Sequence, residues 1–284
     1  MKYAYYPGCS MESIAADYAL SVEAVCKALG VELEELDDWN CCGASSGHCT
    51  NYRLAHALTG RNLAIAEKMG MDTAVACPAC FVRLKSTIHE AREDDKLRQD
   101  IVEVIGQPYE AKYDAKNLVD IIVNDIGIEE VRKRVKKPLN GLKVVSYYGC
   151  FLVRPPKVVQ FDDPENPQSL DILMDALGAE VLDWSGKVDC CGGSFSLTRQ
   201  DIVRKLVSDI VVQARQVGAE AIVAACSLCL ANLEGRQTVS PALPVFYFTE
   251  LMGLAFGMPE KEVRGWLKKR MVNPVPLLKS HNLL

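Results

Sequence analysis

Two sets of five cysteines, laid out in nearly the same register, constrain this chain more than any other feature. Cys9 is followed after 31 residues by the vicinal pair Cys41-Cys42, and after 34 more by Cys77-Pro-Ala-Cys80. Cys150 is followed after 39 residues by Cys190-Cys191, and again after 34 by Cys226-Ser-Leu-Cys229. A glycine follows each pair (CCGASSG, CCGGSFS), and each first cysteine has a tyrosine-glycine setting (YYPGCS, YYGCFL). Matched positions in matched order mark an internal duplication, so the chain is expected to fold as two like units.

The residues between the cysteines give each unit a frame. KYAYY (2–6) reads as a buried strand, 10–30 as a helix and VELEELDD (31–38) as a second strand. After the CCG loop come an amphipathic helix over 51–70, a strand at 72–77 and a helix opening at or just after Cys80. The second unit repeats the order: a strand at 142–148, a helix around 167–178, a strand at 179–184, the CCG loop, a helix over 199–218, a strand at 220–226 and a helix from about 228. Strands alternating with helices predict α/β architecture, two pseudo-symmetric Rossmann-like halves with parallel sheets. Each cysteine group then lies beyond the carboxyl end of a strand, where the groups can converge. The expected domains are an N-terminal repeat over 1–90, a charged helical connector over 91–140 ending at the Pro138–Gly141 turn, a C-terminal repeat over 141–240 and a helical tail over 241–284. In the tail, TELMGLAFG and PEKEVRGWLKKR read as helices that complete the core or dock a partner; the first of these and the connector are candidate docking surfaces.

Composition narrows the chemistry. The 284 residues are 49% hydrophobic and 24% charged, with a formal charge of −5, which offers no basic footprint for nucleic acid. MKYAYYPGCS is not a secretory signal and no apolar stretch reaches the ~18–20 uncharged residues of a membrane span, so a cytoplasmic protein is expected. In a reducing compartment, twelve cysteines point to metal or redox chemistry rather than structural disulfides. Soft thiolates select zinc, copper(I) or iron–sulfur clusters, and all-cysteine ligation suits the clusters best. Zinc is the competing reading, but it takes four ligands, and each unit offers five with a single C-x-x-C. A vicinal pair chelates one tetrahedral ion poorly, yet can give its sulfurs to two different irons. CPAC and CSLC fall at strand-to-helix junctions, where backbone N–H groups favour thiolate.

The pattern C-x31-CC-G-x33-CPAC followed by C-x39-CC-G-x33-CSLC resembles the duplicated CCG domain and is similar to heterodisulfide reductase B subunits of methanogenic archaea. That resemblance implies two noncubane [4Fe–4S] clusters, which are themselves the catalytic groups. Cys9, Cys41, Cys42, Cys77 and Cys80 would hold the first, and Cys150, Cys190, Cys191, Cys226 and Cys229 the second. It implies reduction of the mixed disulfide of coenzyme M and coenzyme B to the two thiols, in methanogenesis. The implied partners are a cubane iron–sulfur subunit and a flavin-containing electron-bifurcating subunit, with hydrogenase or formate dehydrogenase as further members. CCG domains also occur in glycolate and lactate oxidases and thiol:fumarate reductases, so an electron-transfer subunit of another oxidoreductase is the alternative. No G-x-G-x-x-G follows a strand, so neither flavin nor nicotinamide is expected in this chain.

The implied substrates are anionic, and Arg53, Arg83, Lys85, Arg154, Lys157 and Arg199 lie near motif positions, with Arg154 and Arg199 the preferred pair for anion capture. His48 is a candidate proton donor to a departing thiolate. Cys26 reads as a buried small hydrophobe and Cys49 as structural, a spare redox thiol being the sharper alternative for the latter. His56, His89 and His281 suggest no role.

Overall fold

Short apolar strands alternating with longer helices can bury both in a parallel sheet covered by helices, and each half of the chain does so. The fold comes from a computed structural model, which describes residues 1–44 and 46–284. The first half runs β1 (Lys2–Tyr6), α1 (Ala16–Leu29), β2 (Glu32–Glu35), α2 (Gly47–Thr50), α3 (Tyr52–Met69), β3 (Thr73–Val75), α4 (Pro78–Glu93), α5 (Asp95–Ile105) and β4 (Ala115–Asn117). Next come α6 (Leu118–Asp120), a π-helical turn (Ile121–Gly127) and α7 (Ile128–Arg134). The second half runs β5 (Lys143–Tyr147), α8 (Pro156–Val159), α9 (Ser169–Ala176), β6 (Glu180–Val181), α10 (Gln200–Gln216), β7 (Ala221–Ala224), α11 (Ser227–Gly235), β8 (Val245–Tyr247) and α12 (Phe248–Ala255). α13 (Glu260–Leu267) and α14 (Val275–Ser280) follow. Each sheet has four parallel strands, in the orders β2-β1-β3-β4 and β6-β5-β7-β8, with Ala4 opposite Thr73 and Val144 opposite Ala221.

Several expectations need correcting. The charged stretch after α5 is not purely helical: it contributes β4, which pairs with β3, and the tail likewise contributes β8 beside β7. Both strands are three residues long, too short for a period-2 signal, and β4 reads Ala-Lys-Asn. α1 begins at Ala16, not Ser10, because the Ser13 hydroxyl donates to the Cys9 carbonyl at 2.9 Å and residues 9–15 are spent in turns. α4 opens at Pro78, with Cys77 as N-cap, so Cys80 sits inside the first turn; proline's fixed φ suits that position and its missing N–H is not needed there. Every residue of α12 is buried, so TELMGLAFG completes the core and presents no docking surface there.

The two halves are fastened through α1. Its Tyr18 ring stacks on Tyr247 at 3.9 Å between centroids, and Ser21 shares a 2.7 Å hydrogen bond with Thr249. Beyond α13, Arg270 is buried between Asp17 of α1 (2.9 Å) and Glu250 of α12 (2.5 Å), with its guanidinium 4.6 Å from the Tyr247 ring centre. One cation thus neutralises a carboxylate from each half in a place water does not reach.

Candidate metal centre

In the first half the cysteines gather where β1, β2 and β3 end. Cys9 and Cys41 place their sulfurs 3.7 Å apart on the exposed side, while Cys42 and Cys80 pair at 3.3 Å in the interior. The Tyr6 hydroxyl donates at 2.9 Å to the carbonyl of Asn40, immediately before the vicinal pair. The second half repeats the device: Tyr147 donates to the Asp189 carbonyl at 2.6 Å, and Cys191 and Cys229 pair at 3.5 Å. Hence the tyrosine-glycine setting seen in the sequence. The tyrosine anchors the CCG loop, and the glycine lets the backbone pass close over a sulfur. An ideal Cβ on Gly8 would lie 2.9 Å from Cys80 Sγ, and one on Gly149 would lie 3.2 Å from Cys229 Sγ; both glycines have φ near +70° (75° and 66°).

The two gatherings adjoin. The thiols of Cys77 and Cys226, equivalent residues and both buried, lie close enough across the interface between halves to shift each other's ionisation, and the hydroxyl of Ser227, next to Cys226, reaches Cys77 Sγ at 3.6 Å. The Tyr18 hydroxyl reaches the carbonyls just before each of them, Ala76 at 3.4 Å and Ala225 at 3.2 Å. Equivalent residues meeting in this way mark an approximate two-fold axis through the contact.

The sulfurs divide into thiols that donate, with Cys41, Cys80, Cys150, Cys226 and Cys229 held protonated by their neighbours and by burial, and thiols that accept and are pushed towards thiolate. Donation from Cys41, and next from Cys80, brings Cys42 down to about 4, and Cys150 lowers Cys190 to about 6. Cys226 and Cys80 hold Cys77 well below the usual thiol range, and Cys229 lowers Cys191. Backbone N–H groups of Gly43 and Gly192 point at the sulfurs of Cys41 and Cys190, the latter at 3.3 Å. Among the described residues no three His, Cys, Asp or Glu side chains close around one point as a single ion would require. Five thiols per half, paired rather than converging and supplied with N–H donors, fit an iron–sulfur group whose sulfurs bind separate irons.

The CCG cysteine-rich domain pattern matches residues 3–85 and again 144–234. The chain belongs to the CCG cysteine-rich domain family. This CCG protein is 31% identical, over 92% of its length and 94% of the relative's, to the 8-methylmenaquinol:fumarate reductase membrane anchor subunit of Wolinella succinogenes. It is 28% identical, over 93% and 94% of the two chains, to a heterodisulfide reductase B-subunit-like protein of Archaeoglobus profundus. The crystal structure of a hypothetical protein from Helicobacter pylori shares the fold, with a TM-score of 0.73 over 96% of this chain at 10% identity; the CCG chain spans 52% of that larger one. Among the described residues no helix is long and apolar enough to cross a membrane.

The charged candidates fall in different places around the CCG sites. Arg199 is exposed and paired with Asp201 at 2.8 and 3.0 Å; Arg154 is tied to Glu165 (2.8 Å) and the Pro164 carbonyl (2.9 Å). Arg53 pairs with Glu103 and Lys85 with Asp114. Arg83 is different. It lies one turn beyond Cys80 on α4, within 3.4 Å of His48 Nε2 and 5.8 Å from the centre of the Phe151 ring of the other half, and among the described residues it has no carboxylate partner. His48 also touches Cys49 Sγ at 3.4 Å, and both side chains are exposed; Cys26 is buried as expected. Three residues escaped the sequence reading: Tyr18, Ser227 and Asn232. Ser227 donates to Cys77 Sγ at 3.6 Å, and Asn232 donates to the Cys191 carbonyl at 3.0 Å. Aligning CPACFVR with CSLCLAN position by position shows where the latter two differ from their counterparts, Pro78 and Arg83.

Proposed function

We propose that the chain is the iron–sulfur subunit of a cytoplasmic oxidoreductase complex. In this reading Cys9, Cys41, Cys42, Cys77 and Cys80 hold one noncubane [4Fe–4S] cluster, and Cys150, Cys190, Cys191, Cys226 and Cys229 hold another. The reaction is reduction of a disulfide to two thiols with two electrons and two protons, the mixed disulfide of coenzyme M and coenzyme B being the substrate. The observation that carries this reading is the contact between Cys77 and Cys226, which joins two five-cysteine sites through one sulfur of each. A disulfide needs two electrons, while iron–sulfur partners deliver them singly; two adjoining sites let one chain hold both. When bound, the clusters supply that one-electron storage and iron to receive sulfur.

The chain's own residues position and protonate. Tyr6 and Tyr147 hold the CCG loops, and Gly8 and Gly149 keep space over Cys80 and Cys229. A cleft of about 620 Å³ beside Cys9 and Cys41 is lined by Glu12, Glu35, Asp37 and Asp38, which repel an anion. An anionic substrate is therefore drawn away from that cleft and towards Arg83, which can take its charge, with His48 beside it to hold a proton for the leaving thiolate. Arg154 and Arg199 would join only by leaving Glu165 and Asp201. With no flavin or nicotinamide motif in the sequence, electrons would come from a cubane iron–sulfur subunit fed by a flavin-containing, electron-bifurcating one, with hydrogenase or formate dehydrogenase further upstream.

The relative at 31% identity favours a second reading, an electron-carrying subunit of a fumarate reductase type of complex. Anaerobic purification should yield about eight irons and eight sulfides per chain in both readings, against zinc and no sulfide if the cysteines are a structural staple. Adding coenzyme M to the oxidised protein separates the two: a new paramagnetic signal supports disulfide reduction, and an unchanged spectrum rejects it in favour of electron transfer.

A further inference from the structure

The duplication invites the assumption that the two sites are equal, and the contacts around the sulfurs contradict it. Cys77 receives the Ser227 hydroxyl from the opposite half at 3.6 Å, and that serine is steadied by Ser10 at 2.9 Å; both serines are buried. The reciprocal bond does not exist, because the counterpart of Ser227 is Pro78, which has neither hydroxyl nor N–H to offer Cys226. A second difference lies one turn further along the same helices. In the second half Asn232 donates its neutral amide to the Cys191 carbonyl and, at 3.8 Å, to its sulfur. In the first half the same position is Arg83, whose full positive charge is felt at Cys42 and is offset by no carboxylate among the described residues. Donors common to both halves, such as the N–H groups of Gly43 and Gly192, cancel in the comparison.

Reduction adds negative charge to a sulfur-ligated group, and hydrogen bonds to sulfur together with nearby positive charge favour it. The Ser227 bond favours the N-terminal site, and there the full charge of Arg83 outweighs the long neutral-amide bond that Asn232 gives Cys191. We propose that the N-terminal site is held at a higher reduction potential than the C-terminal one, so that a single electron delivered to the chain comes to rest in the N-terminal half. Ser227 is then a positioning residue acting across the interface, and Arg83 an electrostatic one. The proposal rests on the reading that both halves hold iron–sulfur groups. Each site takes up one electron, supplied by a one-electron mediator, and no bond is made or broken.

The test is an anaerobic potentiometric titration of the iron-loaded full chain, followed by electron paramagnetic resonance. Two separate one-electron waves are expected. Ser227→Ala and Arg83→Gln should each move the upper wave to lower potential and leave the lower one in place. Ser227→Thr, which keeps the hydroxyl, should restore it, and Pro78→Ser, which offers Cys226 a hydroxyl, should raise the lower wave and narrow the gap. Coincident waves in the loaded protein, or a lower wave that moves with Ser227→Ala, overturn the inequality while leaving the iron–sulfur reading intact. A chain that binds no iron overturns that reading, and this proposal with it.

Discussion

Gly8→Ala and Gly149→Ala form a matched pair whose outcomes should differ for a reason visible in the structure. Both positions have positive φ, so each substitution carries the same left-handed penalty of roughly 1–2 kcal/mol. Against a typical stability of about 5–15 kcal/mol, the chain still folds. What differs is the sulfur. A Cβ at Gly8 lies 2.9 Å from Cys80 Sγ, and regaining an ordinary contact of ~3.5 Å requires a retreat of about 0.6 Å; at Gly149 the starting distance is 3.2 Å and the retreat is about 0.3 Å. Ligand sulfurs tolerate about 0.2 Å, so Gly8→Ala passes the limit widely and Gly149→Ala only narrowly. Iron and acid-labile sulfide per chain should fall by about half in Gly8→Ala, with the C-terminal group retained, and by clearly less in Gly149→Ala. Far-ultraviolet circular dichroism checks that both variants are folded. Full iron in Gly8→Ala, or equal loss of both groups from one substitution, would refute the argument that these glycines make room for ligand sulfurs.

Three further outcomes follow from the contacts. Arg270→Ala leaves Asp17 and Glu250 buried without their counter-ion and should cost about 3–5 kcal/mol in denaturant unfolding; a loss below about 1 kcal/mol would mean the ion triad does not fasten the halves. Burial raises Glu234 from 4.5 to about 7, so the folded chain holds a proton that the unfolded chain releases, and this group's contribution to stability falls as pH rises from about 4.5 to 7. Glu234→Gln should therefore match the parent near pH 4 and exceed it near pH 8 by up to about 3 kcal/mol in urea titrations, and a parallel pH profile for the two proteins would reject the assignment. Tyr147→Phe removes the 2.6 Å bond to the Asp189 carbonyl and should lower stability by about 1 kcal/mol while making Cys190 and Cys191 react faster with thiol reagents in the metal-free chain; unchanged reactivity would show that the tyrosine does not order the loop.

The sequence carries the repeat and most of the sheet order because apolar strands such as Tyr3–Tyr6 and Ala221–Ala224 have no other way to be buried. It hides β4 because three residues, one of them a lysine, show no period, and the strand exists only because β3 offers it an edge. The gathering of the cysteines was legible from their places beyond strand ends. Arg270 was not: in WLKKRMV it looks like any surface cation, and its partner Asp17 is 253 residues away. The same limit applies to Ser227, whose hydroxyl acts on a sulfur of the other half. What could be read without coordinates was the difference between CPACFVR and CSLCLAN, and the interface turns that difference into chemistry.

A duplicated chain folded about an approximate two-fold axis brings equivalent residues together, so a substitution at one copy acts on the other copy's site. Position 227 shows the consequence. Were it proline like position 78, Cys77 would lose its hydroxyl donor, and only the difference between Arg83 and Asn232 would set the two halves apart. One serine next to the axis is enough to break the symmetry without disturbing either sheet, since it sits at the helix start where proline and serine are both accepted. The charge around the N-terminal site is divided in a similar way: carboxylates line the cleft by Cys9 and Cys41, while Arg83 lies against Phe151 of the second half with His48 beside it. In the proposed reading a basic partner would be drawn to the carboxylate cleft and an anionic substrate to Arg83.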